Sequence, residues 1–197
     1  VLHDGPAHEV VKTYLNAGLG ASPAREWTDP STAPGGEVAR LRAARVKAED
    51  GRVADVLDIR RPFTIEMEYE VLTPGYVLSP HFHLVDDEGT LIFITQDLDP
   101  QWRRRARPVG HYVSRVEIPG NLLTEGTVFV GCHCITLAPD ILQFSAPEAI
   151  AFHVIDSHDG DSARGDYVGN MPGAIRPLLN WSTTLTDSIC LGPSDYF

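Results

Sequence analysis

The sequence predicts an all-β domain: an antiparallel β-sandwich, jelly-roll or immunoglobulin-like, with a short helix at its N-terminus. Three observations lead there. Residues 64–71, Thr-Ile-Glu-Met-Glu-Tyr-Glu-Val, alternate apolar and acidic side chains with a period of two, the mark of a half-buried strand. Strand-like runs recur near 79–85, 90–95, 111–118, 127–137 and 149–155. Turn signals rather than helices separate them: Asp86-Asp87-Glu88-Gly89 reads as a hairpin turn, and Ile118-Pro119-Gly120-Asn121 as a second break.

In chain order, Val1 to Gly5 reads as a short strand running into a turn. Pro6 opens a helix, where its missing N–H costs nothing. Val10, Val11, Tyr14 and Leu15 give that helix an apolar stripe, and Gly18 and Gly20 end it. Residues 18–36 are rich in Gly, Pro, Ser and Ala and read as a linker, with Trp27 its only large apolar residue. The sandwich is expected over 37–181. Its tail, 182–197, carries Leu185, Ile189, Cys190, Tyr196 and Phe197, enough apolar surface to add a strand to a partner's sheet edge. The chain opens on Val1 without Met, which suggests a piece of a longer protein.

Composition narrows the function. Of 197 residues, 43% are hydrophobic, and 27 carboxylates against 16 Lys and Arg give a net charge of −11. Such a field disfavours nucleic acid, and a neutral ligand suits it best. The one concentrated basic run, Arg103, Arg104, Arg105 and Arg107 beside Trp102, reads as a solvated loop. Glu66, Glu68 and Glu70 read as a solvated outer face rather than a catalytic set. Three cysteines, an odd and small number, suit a reducing cytoplasm, and Cys132 and Cys134 read as core residues. No apolar stretch reaches the ~18 residues a membrane helix needs. The phosphate loop Gly-x-x-x-x-Gly-Lys-Ser/Thr is missing, so no ATP hydrolysis is expected of this chain.

Two groups of residues carry a resemblance. Asp4, Gly5, Pro6, Glu9, Val10, Val11, Tyr14 and Leu15 resemble the end of an ABC-transporter ATPase domain. Residues 37–181 resemble the C-terminal domain of Wzt-type ATPases, which export O-antigen polysaccharide. The matching parts are Val46 to Gly51, Pro62 to Val71, the Asp-x-x-Gly-x-x-x-Phe turn and strand of Asp86 to Phe93, and Ile118-Pro119-x-Asn121-Leu122-Leu123-x-x-Gly126 leading into 127–137. The 149–156 strand, Gly173 and Pro177-x-x-x-Trp181 complete the set. The resemblance implies a cytoplasmic module at the inner face of the inner membrane that binds the exported glycan. The implied partners are an upstream ATPase domain, a membrane-spanning subunit and a second copy of the chain. Neither cofactor nor metal is implied.

A sugar site needs polar groups that fork onto hydroxyls, beside a flat aromatic surface. The two-residue period turns Val128, Val130, Cys132 and Cys134 to the core and Phe129 and His133 away from it. It sets His153 against Ile150, Phe152 and Val154, and His81 and His83 against Phe82 and Leu84. If these strands are neighbours, His81, His83, Phe129, His133 and His153 line one groove, with Trp102 on a long loop folding over it. The alternative is a cupin-like metal-dependent enzyme using His81, His83 and Glu88, spaced from Gly75 as in a first cupin motif. The closing Gly of that motif is Thr95 here, and the second motif is missing. Asp156, Asp159 and Asp161 read as a turn rather than a calcium loop.

Overall fold

A computed structural model of the chain describes residues 22–157 and 159–186. Two sheets face each other. The first holds β1 (Ala24–Glu26), β2 (Ala39–Ala48), β4 (Phe63–Val71) and β7 (Gly110–Ile118), in the order β1-β2-β4-β7. The second holds β3 (Val56–Asp58), β5 (Leu78–Asp86), β6 (Leu91–Gln96), β8 (Gly126–Leu137) and β9 (Asp140–Ile155), in the order β3-β9-β8-β5-β6. Every pairing is antiparallel except β3 with β9. This is the expected sandwich. The expected N-terminal helix lies outside the described residues, as does most of the tail.

The core is the inward parity of both sheets. Leu41, Val46, Ile65, Met67, Tyr69 and Val71 pack from the first sheet against Phe82, Leu84, Val130, Cys132, Cys134, Ile150 and Phe152 of the second. Phe63 and Phe152 meet at 5.0 Å between ring centroids. Each such buried side chain contributes about 1.5–3 kcal/mol. Cys132 and Cys134 are buried free thiols, pushed well above the usual thiol range by that burial.

Three expectations are corrected. The segment read as a linker is structured from Ser22 on: Ala24 to Glu26 pair with β2, and Trp27 is buried beneath Arg25. One tryptophan is enough apolar area to anchor a Gly- and Pro-rich stretch, and Glu26 adds a salt bridge to Arg45. The acidic face of β4 is not simply solvated. Glu66 is buried between Lys47 and Arg115, while Glu68 meets Arg45 and Glu70 meets Arg42. Burial alone would raise the Glu66 carboxyl; hydrogen bonds from Lys47 and Arg115 outweigh it and hold the group below its ordinary range. Finally, β9 starts at Asp140, not near 149, and forms a long hairpin with β8. Register shifts between Val130 and Cys132 and between Cys134 and Ile135 break the two-residue period there, which hides its first half from a pattern reading.

Past β9 the chain is tied back by charge. Glu125 accepts hydrogen bonds from Arg164 and Arg176, both buried, and Ile175 bridges to Leu123. Beyond that tie Leu178, Leu179, Trp181 and Leu185 are exposed. No helix among the described residues is long and apolar enough to cross a membrane.

Candidate functional site

The strands carrying the expected groove are neighbours, in the order β9-β8-β5. His81 on β5 lies opposite His133 on β8, and His83 lies opposite Gly131. The three imidazoles form one cluster, with centroids 4.1 Å apart for His83 and His133, 5.2 Å for His81 and His83, and 5.4 Å for His81 and His133. Gly131 makes room for it: a Cβ there would lie 2.5 Å from His133 Nε2 and 2.7 Å from the Pro147 carbonyl oxygen. Local partners orient the rings. His81 Nδ1 donates to the Ser79 carbonyl at 3.0 Å, and His133 Nδ1 is 3.0 Å from Ser145 Oγ. Burial, then the charges of His83 and His81, push His133 down to about 4. Burial and His81 lower His83 as well. At neutral pH both are uncharged.

The other expected residues separate from this cluster. Phe129 lies between Val85 and Ala151 on the same sheet face but is only 9% exposed, so it offers no flat surface to a ligand. His153 pairs with Thr127, six residues along β8 from His133 and so about 20 Å away. Trp102 does not cover the histidines. Glu88 sits exposed in the β5–β6 hairpin turn, where Asp86 Oδ1 accepts from the Glu88 and Thr90 N–H groups. Among the described residues no three His, Cys, Asp or Glu side chains are placed to hold a metal ion.

Trp102 instead walls a cleft of about 590 Å³ between the free edges of β6 and β7. Its floor is core: Met67, Tyr69 and Phe82. One side is β7, whose inward parity, Tyr112, Ser114 and Val116, is half-buried because no further strand covers it. Tyr112 stacks on Tyr69 at 5.6 Å and takes Trp102 edge-on at 5.4 Å. The other side is the end of β6 and the β6–β7 loop, with Gln96, Asp97 and Asp99. Arg107 closes the cleft. It is 2% exposed, with its guanidinium carbon 5.7–5.9 Å from the Tyr69, Trp102 and Tyr112 rings. Its Nη2 donates to Asp97 Oδ2 at 2.7 Å and its Nη1 to the Leu78 carbonyl at 3.1 Å, while its Nε has no partner. Ser114 Oγ donates to the same Asp97 oxygen at 3.0 Å. The result is an aromatic wall beside an ordered set of hydroxyl and carboxylate groups, which suits a ring with one apolar face and hydroxyls at its edge.

Of the residues expected to bind sugar, then, only Trp102 lines this cleft. Asp97, Arg107, Tyr112 and Ser114 were missed as site residues. One signal was present: a Tyr and a Ser at core parity in 111–118, where a covered strand carries aliphatics.

No family model matches the chain, and no curated protein matches it. Among solved structures the chain is similar to the C-terminal domain of Wzt, with a TM-score of 0.60 and 13% identity over 88% of this chain and 95% of that one. A weaker likeness, TM-score 0.40 and 12% identity over 66% of this chain and 99% of the other, is to a CARDB domain from Pyrococcus furiosus in complex with di-metal ions. Weaker still, a putative beta-galactosidase from Bacteroides fragilis matches at TM-score 0.31 and 12% identity, over 62% of this chain and 17% of that one. The fold of this chain is therefore that of the Wzt C-terminal domain.

Proposed function

We propose that this chain is a glycan-recognition domain of an ABC-type polysaccharide exporter, binding O-antigen-type polysaccharide at the cytoplasmic face of the inner membrane. The fold likeness gives the context. The observation that carries the reading is the cleft, where Trp102 and Tyr112 stand beside Asp97, Ser114 and Gln96. Aromatic surface excludes water on one side of a sugar, and only then do polar contacts to its hydroxyls add net affinity. Gln96 is the cross-strand partner of His81, so His81 and His83 extend the polar surface beyond the cleft, with His133 and Phe129 buried behind them as support. The domain works as a pair, joined through the exposed apolar Leu178, Leu179, Trp181 and Leu185.

The test is calorimetric titration with the polysaccharide made by the source organism's own export cluster. Trp102→Ala is expected to weaken binding by about 1–2 kcal/mol while the thermal midpoint stays put. Wild-type affinity in that variant would remove the cleft from the reading; no binding to the native chain would end it. Light scattering is expected to give a dimer, and a monomer at tens of micromolar would count against pairing.

A further inference from the structure

We propose that Arg103, Arg104 and Arg105, on the β6–β7 loop beside Trp102, form an anion-recognition rim that takes a phosphate or carboxylate substituent of the glycan whose uncharged ring lies in the cleft. This rests on the glycan-binding reading above and adds a ligand class to it.

The first ground is how the cations are used. With 27 carboxylates for 16 cations, most Lys and Arg residues have an acid within reach. Among the described residues Arg42, Arg45, Lys47, Arg52, Arg60, Arg61, Arg107, Arg115, Arg164 and Arg176 all hold salt bridges. Arg25, which lies over the Trp27 ring, and Arg40 hold none, and neither do the three consecutive arginines, which are all exposed. Three adjacent guanidiniums repel one another, and an excess of acid elsewhere in the chain has not been used to relieve them.

The second ground is the loop itself. Its backbone is a hydrogen-bonded turn: Trp102 N–H and Arg103 N–H donate to the Asp99 carbonyl at 3.0 and 2.8 Å, and Arg105 N–H donates to the Trp102 carbonyl at 3.0 Å. Gln101 N–H donates to Asp99 Oδ1 at 2.8 Å, which occupies part of the Asp99 carboxylate. Arg104 has φ of 60°, the left-handed region that favours Gly or Asn. A side chain kept there at a backbone cost is kept for what it does outside the fold.

The third ground is where a charge on the ligand has to go. Inside the cleft Arg107 is committed to Asp97 and Arg115 to Glu66, while Asp99 and Glu117 add uncompensated acid. An anionic ring is disfavoured there. An anionic substituent directed past Trp102 meets three free, fork-shaped donors suited to bidentate pairing with phosphate or carboxylate.

The experiment uses the full chain on an array that displays each oligosaccharide in neutral and in phosphate- or uronate-bearing form. Charged forms are expected to bind about tenfold tighter, with a preference that fades as salt rises. The variant R103Q/R104Q/R105Q is expected to lose that preference and keep the neutral affinity. Arg104→Gly, which relieves the backbone, is expected to raise the thermal midpoint and still weaken binding of the charged forms. Equal binding of both forms overturns the rim and leaves the glycan reading standing. No binding of either form ends both. A parallel arm uses phosphatidylcholine vesicles with and without phosphatidylglycerol; arginine-dependent binding to the anionic vesicles without any preference among glycans would assign the rim to a membrane surface and overturn the proposal.

Discussion

Removing the Asp97 carboxylate is the most demanding perturbation of the cleft. Arg107 is 2% exposed, and its guanidinium has two acceptors, Asp97 Oδ2 and the Leu78 carbonyl. Asp97→Ala leaves a buried cation with one neutral acceptor and a cluster of rings. Breaking a buried pair from one side costs about 3–5 kcal/mol, because the remaining charge has lost both its counterion and its water. The Ser114 hydroxyl also loses its acceptor. For a chain of this size each kcal/mol is about 2–4 °C, so the thermal midpoint should fall by roughly 6–20 °C. Replacing both partners, Asp97→Ala with Arg107→Met, removes the stranded charge and should recover most of that loss. Urea unfolding of the wild type, both single variants and the double variant gives the coupling energy directly. A loss below about 1 kcal/mol in Asp97→Ala, or a double variant no better than it, would refute the view of Arg107 as a desolvated cation held by Asp97.

Three further outcomes are expected. Phe129→Ala should cost about 3 kcal/mol in urea unfolding and leave glycan affinity unchanged in the folded fraction, since the ring is buried; lost affinity with full stability would return the site to the histidine face. Gly131→Ala should destabilise by about 1–3 kcal/mol, because its methyl meets His133 Nε2 and the rigid Pro147 carbonyl, and adding His133→Ala should relieve only the first clash; a neutral effect would show that the sheet yields at this bulge. Stability should fall on acidification from about pH 6.5 to 4, where the unfolded His133 takes up a proton that the folded one, at about 4, refuses. Below the ordinary carboxylate value of 4.5 the depressed Glu66 adds a second loss as it protonates; midpoints that do not change between pH 7 and 5, or a His133→Gln variant with the same slope as wild type, would contradict the histidine part.

What the sequence makes legible follows from the range of the physics. The alternation of β4 and the Asp86–Gly89 turn are local, and both stand in the structure where they were read. The orientation of His81, His83 and His133 follows from parity alone, and their meeting needed only that β5 and β8 be neighbours. β1 was not legible, because its partner lies about twenty residues on and its own composition is that of a loop. The cleft was less legible still. Asp97 joins Arg107 from the far end of a loop and Ser114 from another sheet, and nothing in a two-residue period reports on the side of a sandwich left open. Phe129 shows the limit of parity: facing away from the core is not the same as facing water.

The open side of the sandwich has a mechanical consequence. β6 and β7 are terminal strands of different sheets, so no backbone ladder spans the gap between them. Across it run the β6–β7 chain segment and the Arg107–Asp97–Ser114 bridge. A molecule seated there would work as a wedge or a clasp. It would set the splay of one sheet against the other without any ladder bond having to break. Occupancy would thereby be written into the angle between the two sheets, a quantity felt at their opposite edges, β1 and β3.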